Sequence, residues 1–292
     1  MANSIAKFKT YIGLLDEVFK SASATADLDV DSALVRAGAN ANEIIVPKIS
    51  MDGLADYSRN SGYVSGDVTL TNETVAFNYD RGRKFSVDNM DNEETAGVAF
   101  GALSAEFIRT KVAPELDAFR FATYAGTSGI SKVSSGATLS TGADVLAALV
   151  AAVNQMDEDE VPQENRYLYI TPTLLNLVNS VDTTKSKDIL ENFAKIVKVP
   201  QTRFYTAITL ADGMTSGQTG GGYAKASGGK DINFMIIHKP AVLQYTKHTV
   251  NKVITPEENQ TKDAYDFPYR SYGLADVYEN KAAGIYLHHK AS

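Results

Sequence analysis

Three groups of residues in this chain have types that could do chemistry: a glycine-rich stretch at Ala211–Lys230, the aspartates Asp27, Asp29 and Asp31, and the pair His288–His289. Seven of the 21 glycines fall between Gly213 and Gly229, a density that would let backbone amides approach a phosphate. The spacing does not fit that use. Gly228-Gly229-Lys230 is followed by Asp231 rather than Ser or Thr, and no G-x-G-x-x-G follows a strand-like run. The stretch reads as an exposed loop. The three aspartates resemble the first half of a calcium loop, but the turn position holds Ser32 and the bidentate position Gly38. Neighbouring histidines on a strand point to opposite faces, and only His238 and His248 exist besides them, so no spacing supports a three-histidine metal site. The acidic run Asp157–Glu160 has no histidine near it and reads as a solvated helix end before Val161–Pro162. A G-x-S-x-G elbow is missing, and no carboxylate pair stands out by spacing. The residues therefore nominate no catalytic group, no cofactor and no metal ligand.

Composition narrows the class further. The 292 residues are 44% apolar and 22% charged, the mix of a folded domain protein with room for a large core. Cysteine is absent, which removes disulfides, thiolate metal sites and cysteine nucleophiles together. With 28 basic against 35 acidic side chains the net charge is −7, which disfavours a direct grip on DNA as the main task. No window reaches the length of a membrane span, and Met1–Thr10 lacks an apolar signal core, so an intracellular origin is expected.

The apolar spacing predicts the elements that must position anything functional. In residues 1–42, Tyr11, Ile12, Leu15 and Phe19 recur at helical spacing, and Ser21–Asp29 reads as an arm that needs the body or a partner to order it. Ile44–Ile49 is a strand interrupted by Pro47, of edge type. Val75, Phe77 and Tyr79 alternate with polar residues, and Phe85 and Val87 continue the alternation. Residues 43–90 thus predict a long two-stranded ribbon with a polar tip at Asp52–Gly66, too poor in apolar residues for its own core. Such a ribbon must lie on another surface. Tyr57, Tyr63, Phe77 and Tyr79 would supply contact area against a neighbouring subunit, and Arg81, Arg83 and Lys84 would pair with that subunit's acids.

Residues 91–125 predict a helix with a stripe of Val98, Leu103, Phe107, Leu116 and Phe119, bent or interrupted at Pro114. A polar link at Gly126–Ser140 precedes an amphipathic helix at Ala143–Met156, with Val145, Leu146, Leu149, Val150, Val153 and Met156 on one face. Then follow a strand at Tyr167–Ile170, a helix opened by Pro172, a further helix at Asp188–Val197 and a strand around Arg203–Leu210. Short strands are predicted at Phe234–Ile237, Val242–Tyr245, Thr249–Ile254 and Gly284–His288, with Arg270–Glu279 of mixed character. Strands and helices alternate without βαβ regularity, which predicts an α+β fold.

Three stretches together carry a family resemblance: Val75-Ala-Phe-Asn-Tyr-Asp-Arg-Gly-Arg-Lys-Phe-Ser-Val87, Val112-Ala-Pro-Glu-Leu-Asp-Ala-Phe-Arg120, and the pair Arg166-Tyr-Leu-Tyr-Ile-Thr-Pro172 with Phe234-Met-Ile-Ile-His-Lys-Pro-Ala-Val-Leu243. Their order resembles major capsid proteins of tailed bacteriophages, with the Hong Kong 97-type fold. The resemblance implies an N-terminal arm at 1–42 and an extended loop at 43–90. It further implies a peripheral domain at 91–140 and 246–280, and an axial domain at 141–245 and 281–292. It implies a chain without catalysis that associates with itself in pentamers and hexamers, assembles in the host bacterial cytoplasm and resides in the virion. Packaged DNA would be enclosed rather than specifically bound. Only residues 1–42 precede the ribbon, so a separate scaffold protein, together with a portal, is the implied partner set. Lys48, Lys84 and Asn280 are candidates for the loop-to-neighbour crosslink that some members make, without a motif to select them. Two other readings stay open: an encapsulin-type nanocompartment shell on the same fold, and a soluble hydrolase.

Overall fold

A computed structural model describes residues 22–30, 36–37, 43–94, 98–133, 135–181 and 183–291, so the helix expected at Tyr11–Phe19 lies outside the described residues. After a 3-10 turn at Ala26–Leu28 come β1 (Arg36–Ala37), β2 (Glu43–Met51), β3 (Val68–Ala76) and β4 (Tyr79–Asp88). Helices α1 (Asn89–Glu94) and α2 (Val98–Phe107) lead through a π-helical turn at Ile108–Val112 into α3 (Ala113–Gly126). Next are β5 (Ser131–Lys132), α4 (Gly142–Glu158), β6 (Arg166–Ile170), α5 (Pro172–Ser180), α6 (Thr183–Leu190) and β7 (Lys195–Lys198). The chain ends with β8 (Ile208–Leu210), β9 (Tyr223–Lys225), β10 (Ile232–His238), β11 (Val242–Asn251), β12 (Ala264–Val277) and β13 (Ile285–His289).

The largest sheet has the order β5-β13-β10-β6-β7, with β10 antiparallel to both neighbours and the outer pairs parallel. Every residue from Ile232 to Ile237 is buried because both faces of the sheet are covered. Phe234 and Ile236 face Val145, Leu149, Ala152 and Met156 of α4, along with α5. Met235 and Ile237 face Phe121 and Tyr124 of α3, with Leu28 and Phe204 closing that side. A capping box starts α4: the Thr141 hydroxyl accepts from the Asp144 amide at 3.2 Å, and Asp144 accepts from the Thr141 amide at 3.0 Å. Val150, expected on the buried face, points to solvent instead, five residues beyond Val145 and so turned away from its stripe. The helix expected at Asp188–Val197 is also corrected. It ends at Leu190, and Lys195–Lys198 forms the edge strand β7.

The second sheet, β11-β12-β4, is long and antiparallel. The two strands expected at Val242–Tyr245 and Thr249–Ile254 are one strand, β11, with a register shift between Thr246 and His248. Tyr79 pairs with Gly273 and Asp88 with Ala264, so β4 belongs to this sheet and not to the ribbon. That corrects the ribbon's extent: its two strands end at Ala76. The α2–α3 rod crosses this sheet, packing Ile108 and Val112 on Phe267 and Tyr269, with Phe85 and Phe107 beside them. Pro114 enters immediately after the π turn, where the wider winding accommodates its missing N–H, as its ring chemistry requires. Leu116 is buried there, while Phe119 is half-buried against the ring of Tyr79 at 4.9 Å.

Candidate assembly surface

The ribbon that remains is a hairpin of nine paired positions, Glu43–Ala76 through Met51–Val68, or about 30 Å of strand. Its base is fixed by apolar contact: Ile44 and Val75 are buried against Leu243 and Leu274. Lys48 pairs with Glu279 at 2.7 Å. β2 runs unbroken through Pro47, which corrects the expected interruption. Among the described residues β1 pairs with Ile44 and Ile45 and not with Pro47, whose missing N–H suits the edge of a sheet.

Past Lys48 the hairpin leaves the body. Ile49, Met51, Val68 and Leu70 are exposed along the strands, and Leu54, Tyr57, Tyr63 and Val64 at the tip, with Leu54 at 108% and Tyr63 at 90%. The tip is closed by its own polar groups. Asp52 and Asp67 exchange bonds of 2.9 and 3.1 Å, and Ser58 and Gly62 exchange backbone bonds of 3.2 and 2.8 Å. Gly62 sits at φ +82°, where a side chain would be strained. Tyr57 and Tyr63 meet edge to face at 4.9 Å. The loop is thus closed on itself while it holds four large apolar side chains in solvent, more than the folded subunit needs at its surface. Sequence reasoning singled out the two tyrosines and missed Leu54 and Val64. No periodicity marks residues in a loop, so no signal was there to find them.

The other residues expected at an interface have partners within the subunit, with Arg83 and Lys84 still exposed. Phe77 stacks on Tyr272 at 4.8 Å under the ammonium of Lys247. Tyr79 is 4% exposed, and burial, with Glu115 next, pushes its hydroxyl far above the usual tyrosine range. Arg81 donates to Glu115 at 2.7 Å, and Lys84 pairs with Asp266 at 2.8 Å. Arg83 donates to the carbonyls of Gly220 and Thr219 at 3.1 and 3.2 Å. All five lie on β4 or at its start, so the switch of that strand to the second sheet accounts for the whole group.

Ala211–Lys230 is the exposed loop expected from its glycines, and Arg83 anchors it to β4. It folds back through an Ala211–Gly222 bond of 2.9 Å and a turn in which Asp212 accepts from the amides of Met214 and Thr215 at 2.8 and 2.9 Å. Gly221, at φ +65°, comes so close to Arg83 that a Cβ would lie 2.9 Å from its guanidinium. Between this loop, β4 and the π turn lies a cleft of about 930 Å³ lined by Phe85, Phe107, Tyr269, Arg81 and Glu115.

The histidine and aspartate groups also find structural partners. Both His288 and His289 are buried; His288 stacks on Phe234 at 4.9 Å, and Asn233 lies 3.0 Å from its Nδ1. Burial first, and His289 second, push His288 down to about 4. Asp27 pairs with Lys195, and Asp29 accepts from Gln244 at 2.7 Å, while Asp31 lies outside the described residues. Among the described residues no group of His, Asp and Glu is arranged to hold a metal, and no helix is long and apolar enough to cross a membrane.

No protein-family model and no curated protein sequence matches the chain. Solved structures do. A structure from Gordonia phage Cozz superposes with a TM-score of 0.60 at 12% identity, covering 92% of this chain and 87% of that one. The virus-like particle from Pyrococcus furiosus gives 0.58 at 11% identity, covering 97% and 99%. The capsid structure of the cyanophage P-SCSP1u gives 0.52 at 15% identity, covering 88% and 86%. At such identities the likeness speaks for the fold. The helical rod with its π turn, the long antiparallel sheet, the doubly covered mixed sheet and the projecting hairpin are together the Hong Kong 97-type fold of tailed-phage capsid proteins.

Proposed function

We propose that this chain is a major capsid protein that assembles with itself, through pentamers and hexamers, into the icosahedral head of a tailed phage. It performs no catalysis. The observation that carries this reading is the hairpin, whose exposed apolar residues from Ile49 to Leu70 serve no core of their own subunit. On this fold such a projection makes sense as area that only a neighbour can cover. The contact residues are then Tyr57 and Tyr63 with Leu54 and Val64, rather than the β4 cations. In domain terms, residues 1–42 are the arm and Glu43–Ala76 the extended loop. β4 joins 91–140 and 246–280 in the peripheral domain, and 141–245 with 281–292 form the axial domain. A separate scaffold and a portal complete the assembly. The net charge of −7 suits a wall that encloses DNA without binding it tightly.

The near-complete mutual coverage with the virus-like particle, 97% and 99%, favours a second reading on the same fold, an encapsulin-type shell around protein cargo. Electron microscopy of the purified protein, with nucleic acid and protein extracted from the same particles, tests both. Closed shells or capsomer-sized rings are expected, with enclosed nucleic acid for a phage head. Protein cargo would select the second reading, and a uniform small monomer, as a soluble hydrolase would give, would overturn both.

A further inference from the structure

The arm's last described stretch is held by a buried polar nest that the assembly reading does not use. Asp117 on α3 is fully buried, and its carboxylate accepts from the Ser23 hydroxyl at 2.8 Å, the amides of Ala24 and Thr25 at 2.8 and 3.2 Å, and the Thr25 hydroxyl at 2.7 Å. Arg203 adds a contact at 3.0 Å and also donates to the Ala22 carbonyl at 3.0 Å. Arg120, one turn along α3 and 2% exposed, donates to the Thr25 hydroxyl at 2.9 Å. Gln244 on β11, likewise buried, donates to the Thr25 carbonyl at 2.7 Å, while its own oxygen accepts from Tyr124 at 2.8 Å.

Within Ser23–Asp29 the one regular element is the 3-10 turn at Ala26–Leu28, so the order of this segment is tertiary. Four of the five donors on Asp117 come from the segment itself. Were it to come away only in part, the carboxylate would stay buried with some of its donors missing, and half-satisfied buried networks are strongly disfavoured. The segment is therefore either fully docked or fully released. Docked, it ties α3 to β11 of the long sheet and, through Arg203 and the Asp27–Lys195 pair, to the edge of the mixed sheet.

We propose that Ser23–Asp29 is a two-state clasp with Asp117 as its positioning residue, and that only the clasped subunit is competent to join a shell. The assembly half rests on the capsid reading; the clasp itself does not. A clasped arm is pre-organised, so contacts between copies need not order it again.

The test uses the full chain with Ser23→Ala and Thr25→Val together, which removes both hydroxyl donors and leaves both amide donors and every charge. Hydrogen exchange over 22–30 should rise by about tenfold or more with the body's exchange unchanged. The concentration at which shells form should rise about tenfold. Thr25→Ser, restoring the hydroxyl on a wild-type Ser23, should return both to wild-type values. Unchanged protection of 22–30, loss of the whole fold, or a released segment with wild-type assembly would each overturn the proposal. If the wild-type chain forms no shells, the capsid reading fails, and the exchange measurement still decides the clasp.

Discussion

Replacing Leu54, Tyr57, Tyr63 and Val64 with serine in one variant should separate folding from assembly. These side chains are 108, 59, 90 and 67% exposed, so the folded subunit has little to lose from their removal. Exposed substitutions cost within about 0.5 kcal/mol each. The Tyr57–Tyr63 edge contact, at 4.9 Å, adds about 0.5–1 kcal/mol at most. Between subunits the sum is different. Burying a large apolar side chain is worth about 1.5–3 kcal/mol, so four give roughly 6–12 kcal/mol at full burial. Discounting by more than half for partial burial and for ordering the tip leaves about 4 kcal/mol per contact, or roughly a thousandfold in association. Thermal circular dichroism, sedimentation velocity and electron microscopy on one preparation provide the assay. A melting temperature within about 5 °C of wild type, with no closed shells, is expected. Normal shells at wild-type concentration would refute the reasoning, and so would a collapsed melting temperature, since the tip would then belong to the subunit core.

Further expectations concern the body. Phe121→Ala should cost about 3–5 kcal/mol by denaturant midpoint, because the ring is fully buried between Tyr169 and Phe204 at 5.3 and 4.8 Å. Phe119→Ala, half-buried, should cost less than half of that. His288, pushed down to about 4 by burial and by His289, is neutral in the folded chain over a range where the unfolded chain protonates it. Its contribution is present above about pH 6.5 and lost as pH falls toward 4. Wild type should therefore lose about 1–2 kcal/mol more than His288→Phe between pH 7 and pH 5, and parallel pH profiles would contradict this. Arg83→Ala should make Asp212–Gly222 a preferred protease site while moving stability by about 1 kcal/mol or less, and an unchanged cleavage pattern would show that Arg83 does not hold the loop.

Local spacing made several elements legible in advance. The period of Val145, Leu149 and Met156 specifies α4, because a helix brings those positions to one face whatever surrounds it. Pro114 forces an irregular turn by its own chemistry, and the polar run between two β-branched segments marks the hairpin tip. The failure of every motif at its spacing was likewise a local fact. Strand partners were not local. The alternation of Val75, Phe77, Tyr79, Phe85 and Val87 says that a strand is half-buried, but it is equally satisfied by β3 or by β12 as the neighbour. Only the fold pairs Arg81 with Ser271, 190 positions away, and so gives Arg81, Arg83 and Lys84 partners in their own subunit. Charged residues in a helix read as a solvated face, yet Asp117 and Arg120 are buried because hydrogen-bond partners about 90 residues earlier in the chain come to satisfy them. The glycine loop reads as exposed, which it is, but its anchor was not legible, since the guanidinium that holds its carbonyls lies on β4. Spacing determines which residues can share a face; which surface meets that face is decided when distant segments close over one another and their buried polar groups must find partners.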